Sequence, residues 1–318
     1  MIIALLLSAV LLYLAFRGVN WQELLGTLRQ GQPAYLGLAF ILLSISCVVR
    51  GLRWRVLLSA EKTLPPMMVF WANMIGYLGN SFLPARAGEV VRVVLIGQRG
   101  GVSKSFALAT ALTERIMDSL ILVLLSVVAL LVLGSVPELE PALRVMAVVG
   151  VVGVAGVFLA PRLGWLGEKL VARLPLSPAR REKANGMLSS FLQGTAALQH
   201  PGRLGMFSLF SVAIWSLDML TAMQVARAFQ LSLSPLLALL ELAALGLSSA
   251  VPSTPGYVGV YQFVTVSVLT PFGFTKPQAL AFILAYQAVN YAVISLWGLL
   301  GMWRLQSNLF VARPKQAE

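Results

Sequence analysis

The densest concentration of chemistry-bearing residues in this 318-residue sequence is the run NMIGYLGNSFLPARAGEVVR, which holds Asn73, Asn80, Arg86, Glu89 and Arg92 within twenty positions. Arg86 and Arg92 carry planar guanidinium forks that match phosphate oxygens two at a time. Glu89 is placed to pair with them when no ligand is bound, or to take up a proton. The same residues would also suit a solvated loop at a membrane surface, and spacing alone leaves both readings open.

A second cluster, ATALTERIMDSL, opens a long apolar stretch with Glu114, Arg115 and Asp118. Glu114 and Asp118 are four apart and share a helix face. In one reading the acids favour the positive end of a helix dipole while Arg115 snorkels to the interface. In the other, this face closes a cavity below the Arg86 loop and supplies proton sites or a counter-ion.

The third segment is SSAVPSTPGYVGVYQ. Pro252 and Pro255 break a helix, and Gly256 and Gly259 let backbone approach a ligand or a second helix. Ser248, Ser249, Ser253, Thr254 and Gln262 add neutral hydrogen-bonding groups, and the exposed N–H groups of a half-helix start can hold an anion. A purely architectural kink is the alternative. Asp218 and Glu241 lie inside apolar runs, where an ionisable side chain is a functional candidate, but neither has a sequence-adjacent partner. His200, the single histidine, sits beside Pro201 in a basic stretch and is given no catalytic role.

Several chemistries are excluded by what the chain lacks. Cys47 is the single cysteine and falls in an apolar run, so no disulfide framework or cysteine metal site can form within the chain. There is no GxxxxGK[ST], HExxH or GxSxG pattern. No metal and no cofactor is expected, and energy for any transport must come from a gradient, a partner or downhill movement.

The elements that position these residues follow from composition. The chain is 58% hydrophobic and 11% charged, with a mean hydropathy of +0.84, against about 25% charged residues in a soluble domain. Water-soluble folds are excluded. Ile116 to Leu133, Leu143 to Ala160, Met206 to Val225 and Leu280 to Met302 approach or reach the roughly 20 apolar residues that cross a bilayer. Met1 to Phe16 reads as a retained first helix, lacking the basic start and cleavage site of a signal peptide. The net charge of +12 sits in short connectors, so it signals orientation and not nucleic acid.

Arg50 to Lys62, Pro161 to Arg203 and the tail with Arg304, Arg313 and Lys315 are the basic segments, hence cytoplasmic. Ser135 to Pro141 and Ala228 to Pro235 carry no basic residue, hence face outward. These sides agree only if the stretches from about Pro66 to Leu112 and Pro235 to Phe272 enter and leave on one side. Leu36 to Pro84 and Leu204 to Pro252 are both 48 positions apart, which aligns the two breaks. The expected fold is an all-α polytopic membrane protein, a single integral domain with about six full transmembrane helices plus two oppositely oriented re-entrant helical hairpins. They form an inverted repeat, with repeat one at about 34–134, a cytoplasmic amphipathic connector at about 161–203 and repeat two at about 204–303. Broken helices of this kind put a cavity near the midplane. Trp21, Trp54, Trp215 and Trp303 read as interface anchors, and Ala179 to Leu198 as a surface helix that meets anionic lipid.

With VNWQELL, RGLRWRVLL, NSFLPARAGEVVR, ERIMDSL and PSTPGYVGVYQ in place, the chain resembles the lysylphosphatidylglycerol synthase transmembrane family from roughly Val19 to Trp303. LPARAGE followed by ER..D is the specific part. The resemblance implies a flippase-like domain that moves a lipid, or a lipid-linked sugar or phosphate, between leaflets. By matching motif, its substrate site would comprise Asn73, Asn80, Arg86, Glu89, Arg92, Glu114, Arg115 and Asp118, with Pro252, Pro255, Gly256 and Gly259. The family usually has PGGLG followed by a Glu in the second motif; here Tyr257 replaces a Gly and Gln262 stands where that Glu is expected. This departure bears on an acid-dependent role for the second hairpin and on the head group. With no synthase domain in the sequence, lysyl transfer is not expected.

Three functions follow as expectations: a transporter of an anionic lipid, a membrane-embedded lipid-modifying enzyme with Glu89 or Asp118 as base, and a non-transporting partner of a cell-envelope synthase. Transport is favoured, with no catalytic residue assigned. The expected location is a bacterial or archaeal cytoplasmic membrane with the C-terminus inside. Anionic membrane lipids are the expected partners, nucleic acid is not, and a cell-envelope or lipid synthase and a homo-oligomer stay open.

Overall fold

The computed structural model describes residues 2–83, 87–133, 164–175, 177–249 and 254–309, with Val148, Val152, Ala155 and Leu159. Arg86, Pro252, the connector Ser135–Pro141 and the tail Pro314–Glu318 lie outside the described residues, as does nearly all of the expected span Leu143–Ala160.

Prolines open most of the long helices, because a missing N–H costs nothing in the first turn. The chain runs through α1 (Ile2–Phe16), α2 (Trp21–Arg29), α3 (Pro33–Leu58), α4 (Pro66–Phe82), α5 (Ala87–Gly100) and α6 (Lys104–Leu133). It continues through α7 (Gly164–Arg173), α8 (Pro178–Ala196), α9 (Pro201–Ala228), α10 (Pro235–Ser248), α11 (Val260–Leu269) and α12 (Lys276–Leu309). The described residues are helical and contain no strand. Asn20 caps α2 by accepting from the Gln22 and Glu23 amides, and Ser234 caps α10 through the Leu237 amide.

Among the described residues, three helices are individually long and apolar enough to cross a bilayer: Pro33–Leu58, Pro201–Ala228 and Lys276–Arg304. Helices α1 and α2 meet at 89° across a short break, and α10 and α11 are shorter apolar helices. Outward-facing positions are apolar, with Leu6 61%, Leu124 62%, Leu131 73% and Val212 66% exposed, while Arg53, Arg92 and Glu241 are 0% exposed. That inversion of the water-soluble pattern belongs to a protein solvated by lipid. The chain is a multi-pass membrane protein.

Helix α3 packs along α9, α4 against α12, and α10 against α6. Close approach of α4 and α5 depends on Gly88: a Cβ there would collide with the Gly76 carbonyl oxygen and crowd Asn80. One boundary differs from the sequence expectation. The basic segment beginning at Arg50 is not a loop over its first half, because α3 continues to Leu58 and carries Arg50, Arg53 and Arg55 as helical residues. No Gly-Pro break interrupts the run before Pro65, and buried carboxylates draw Arg53 inward.

Candidate functional site

The charged side chains of three helices meet inside the bundle. Arg53 of α3 donates from Nη1 to Asp118 Oδ1 at 2.6 Å and from Nη2 to Asp118 Oδ2 at 2.8 Å and Glu114 Oε1 at 3.1 Å. Glu114, on the same face of α6 one turn earlier, uses its other oxygen to accept from Arg92 Nη1 at 3.0 Å. Arg92 of α5 also donates to Asn73 Oδ1 at 2.8 Å and to Glu89 Oε2 at 2.6 Å. Glu89 carries the chain of pairs on to its far end at Arg115, accepting from Arg115 Nη2 at 2.5 Å and from Asn80 Nδ2 at 3.3 Å. Arg92 lies over the Trp54 ring at 4.5 Å and Arg53 over Phe207 at 5.0 Å, so apolar faces complete the enclosure.

Burial on this scale demands such pairing, since an ionised group without a partner in hydrocarbon costs several kcal/mol. The alternation of arginine and carboxylate from Asp118 to Arg115 satisfies it. Here Asn73, Glu89, Arg92, Glu114, Arg115 and Asp118, read from the sequence as one candidate site, converge in space. Arg92 is fully buried and ion-paired within that network.

In front of this network lies a cavity of about 260 Å³. Asn80 lines it from the first cluster, Arg115 from the second, and Gly256 and Tyr257 from the third segment. Across from Arg115, Arg50 forms an ion pair with Asp218, whose Oδ1 also accepts from Ser46 at 2.6 Å. Both guanidinium groups at the cavity are therefore held by one carboxylate each. Among the described residues, no set of three or more His, Cys, Asp or Glu side chains converges as a metal site would require. The acids at and behind the cavity are distributed singly between arginines.

The second motif builds the opposite wall. Gly256 and Gly259 adopt φ of 76° and 88°, which turn the backbone sharply after the short turn that Pro255 opens. Gln262 caps α11 by accepting from the Gly259 amide at 2.7 Å, and donates to Gln287 Oε1 at 2.5 Å. Gln287 in turn donates to the Gly256 carbonyl at 3.1 Å, which also accepts from the Tyr291 hydroxyl at 2.6 Å. An amide at position 262 can give and receive at once, so this chain of contacts runs without a charge. Gly259 itself packs on the Ser8 carbonyl of α1, and Ser8 Oγ accepts from the Thr254 amide.

Several residues at this site were not picked out from the sequence as site residues. Arg50 and Arg53 look like interfacial loop charges in one dimension; the available signal was that Glu114, Asp118 and Asp218 in apolar runs each required a cation. Tyr77 and Tyr261, uncharged members of the first and third segments, were passed over there, and Tyr286 and Tyr291 lie outside every motif; all four line the cavity. Glu241 sits alone between α10 and α11, accepting from Thr265 at 2.5 Å with its Oε2 unpartnered.

Comparison with known proteins bears on this arrangement. The chain is 27% identical to a glycosyltransferase, AglD, of Haloferax volcanii, over 99% of its own length and 56% of the relative's, so it spans about half of that protein. It is 26% identical to a UPF0104 membrane protein of Methanothermobacter thermautotrophicus over 82% of this chain and 79% of the relative. A further UPF0104 membrane protein, MJ1078 of Methanocaldococcus jannaschii, is 22% identical over 74% of this chain and 97% of the relative. No solved structure matches. The family model for the lysylphosphatidylglycerol synthase TM region matches residues 1–298, and the chain belongs to that family.

Proposed function

We propose that the protein is a flippase-like transporter that moves an anionic lipid, or a lipid-linked phosphate or sugar, between the leaflets of a cytoplasmic membrane. The observation that carries this reading is the cavity in which Arg50 and Arg115, from different helices, are each neutralised by a carboxylate that a phosphate can replace. A head group binds there by exchanging partners: its oxygens take over a guanidinium fork while its acyl chains stay in the bilayer. Arg86, between α4 and α5 in sequence, joins the site by its motif.

The order of helices supports an inverted repeat. A long helix, two short helices about a break and a second long helix occur in α3 to α6 and again in α9 to α12. Contacts of α4 with α12 and of α10 with α6 are the exchanged pairs that a two-fold relation would produce. On this reading both hairpins are re-entrant, and alternating access runs between the repeats. Six full spans and a cytoplasmic C-terminus belong to the same proposal.

The experiment is leaflet exchange of labelled phospholipids and polyprenyl phosphates in liposomes containing only the purified chain. Exchange lost in Arg115→Ala and Arg86→Glu proteins that remain folded supports transport. A chemically altered lipid would instead support a membrane-embedded enzyme. The Haloferax relative, named as a glycosyltransferase, favours one further reading, a membrane partner of a sugar-transferring enzyme; stable co-purification with such an enzyme, and no exchange alone, would favour it.

A further inference from the structure

Five of the chain's seven tyrosines line one cavity: Tyr77, Tyr257, Tyr261, Tyr286 and Tyr291. They come from three separate regions of the sequence, so no local repeat or helix stripe accounts for their meeting. Aromatic rings with a hydroxyl at one end offer an apolar face and a neutral hydrogen-bonding tip. Asn80, Gln287 and Asn290 add amides to the same wall. The charged part is confined to the Arg50–Asp218 pair on one side and Arg115, held by Glu89, on the other.

Tyr257 is the most informative of the five. Its φ is 59°, in the left-handed region, and it is one of two non-glycine residues among those described with positive φ. The other, Gln230, follows the C-terminus of α9, where this conformation commonly ends a helix. Tyr257 has no such role, and glycine would adopt its backbone conformation without strain. A strained residue is kept where its side chain does something a smaller one cannot. Its ring stacks on Tyr261, with centroids 4.8 Å apart and planes 8° from parallel, and both face the cavity.

The geometry points to a phosphate-linked monosaccharide as the head group this cavity accepts, with the stacked Tyr257–Tyr261 pair as the wall that reads the sugar. The inference rests on the transport reading and names its substrate class. The apolar C–H face of a pyranose lies against an aromatic ring, and its hydroxyls match tyrosine hydroxyls and amides. The linking phosphate takes the guanidinium side. A cationic aminoacyl head finds no open carboxylate on this wall, because Asp218, the acid that lines the cavity, is already held by Arg50 and Ser46. A volume of about 260 Å³ sits just below the range of about 300–1,000 Å³ typical of small-molecule pockets, which suits one sugar.

The test uses three probes with the full chain: a polyprenyl phosphate carrying one glucose, the bare polyprenyl phosphate, and lysyl-phosphatidylglycerol. Binding is read in detergent by ligand-induced thermal stabilisation, and leaflet exchange is read in proteoliposomes. Wild type is expected to bind and exchange the sugar lipid in preference to both others by about tenfold. Tyr257→Gly, which suits the existing backbone, should cut that preference by about three- to tenfold, the contribution of one aromatic stack. Tyr257→Phe keeps the ring and should restore most of it. Equal binding of all three probes, or a preference unchanged in Tyr257→Gly, overturns the inference. Exchange of bare phosphate without sugar preference leaves transport standing and removes only the sugar. A sugar preference in binding with no exchange keeps this site and removes transport; neither binding nor exchange removes both.

Discussion

Both terminal nitrogens of Arg53 donate to the two oxygens of Asp118, at 2.6 and 2.8 Å, although 65 positions separate the residues. Glu114 ties the same guanidinium to Arg92, so three helices are fastened at a point that water does not reach. Removing one member leaves the others charged and enclosed, which costs about 3–5 kcal/mol for a buried pair. Arg53→Met is therefore expected to lower thermal stability sharply in detergent. The double variant Arg53→Met with Asp118→Leu should be less damaging than the sum of the single changes, and a strictly additive cycle would contradict the pairing.

The cavity pair Arg50–Asp218 has a different consequence. Under the proposed function, a phosphate head group would have to displace Asp218 from the same guanidinium. In Asp218→Asn the competitor is gone, so an anionic lipid should bind several-fold more tightly while its release, and with it leaflet exchange, slows. Binding and exchange measured on one preparation check this; a fall in both would mean that Asp218 serves only to hold the fold.

Gly88 gives a steric prediction. A Cβ at this position would meet the Gly76 carbonyl oxygen and the Asn80 side chain, forcing α5 away from α4. Gly88→Ala should reduce the yield of folded protein and its melting temperature, whereas Gly205→Ala, where a Cβ meets nothing within 4 Å, should be silent or slightly stabilising.

Glu241 is the buried carboxyl for which the described residues supply no cation. Thr265 donates to one oxygen and the other has no partner. Replacing an enclosed polar group of this kind by an apolar one of similar size removes a desolvation penalty of about 1–3 kcal/mol. Glu241→Met should raise the melting temperature. A simultaneous loss of exchange would identify Glu241 as a residue retained for function at the expense of stability.

The helical membrane architecture was legible in the residues because composition and run length answer to bilayer thickness alone. The breaks at NSFLP and PSTPG were legible through proline and glycine chemistry, and of their described residues Asn80, Ser81 and Gly256 line the cavity, with Tyr257 next in sequence. Pairing across the molecule was not legible. Arg50 and Asp218 are 168 positions apart, and a one-dimensional charge count assigns Arg50 to a cytoplasmic loop because basic residues crowd beside it. The same holds for Tyr77 and Tyr291, whose common destination depends on how α4 and α12 pack. Gln262 was visible as a departure from the family pattern, but its part in an uncharged hydrogen-bond chain from Gly259 to Gly256 emerges only from the position of Gln287.

Passage of a head group through this cavity is tested most directly by plugging it. In a Cys47→Ser background, Asn290→Cys places one thiol on the cavity wall. Leaflet exchange of a labelled anionic lipid is then measured before and after reaction with a bulky maleimide. Exchange that stops on labelling, with the protein still folded and with the unreacted variant active, is the expected result. Exchange that continues at an unchanged rate after complete labelling would contradict the passage of lipid head groups through this site.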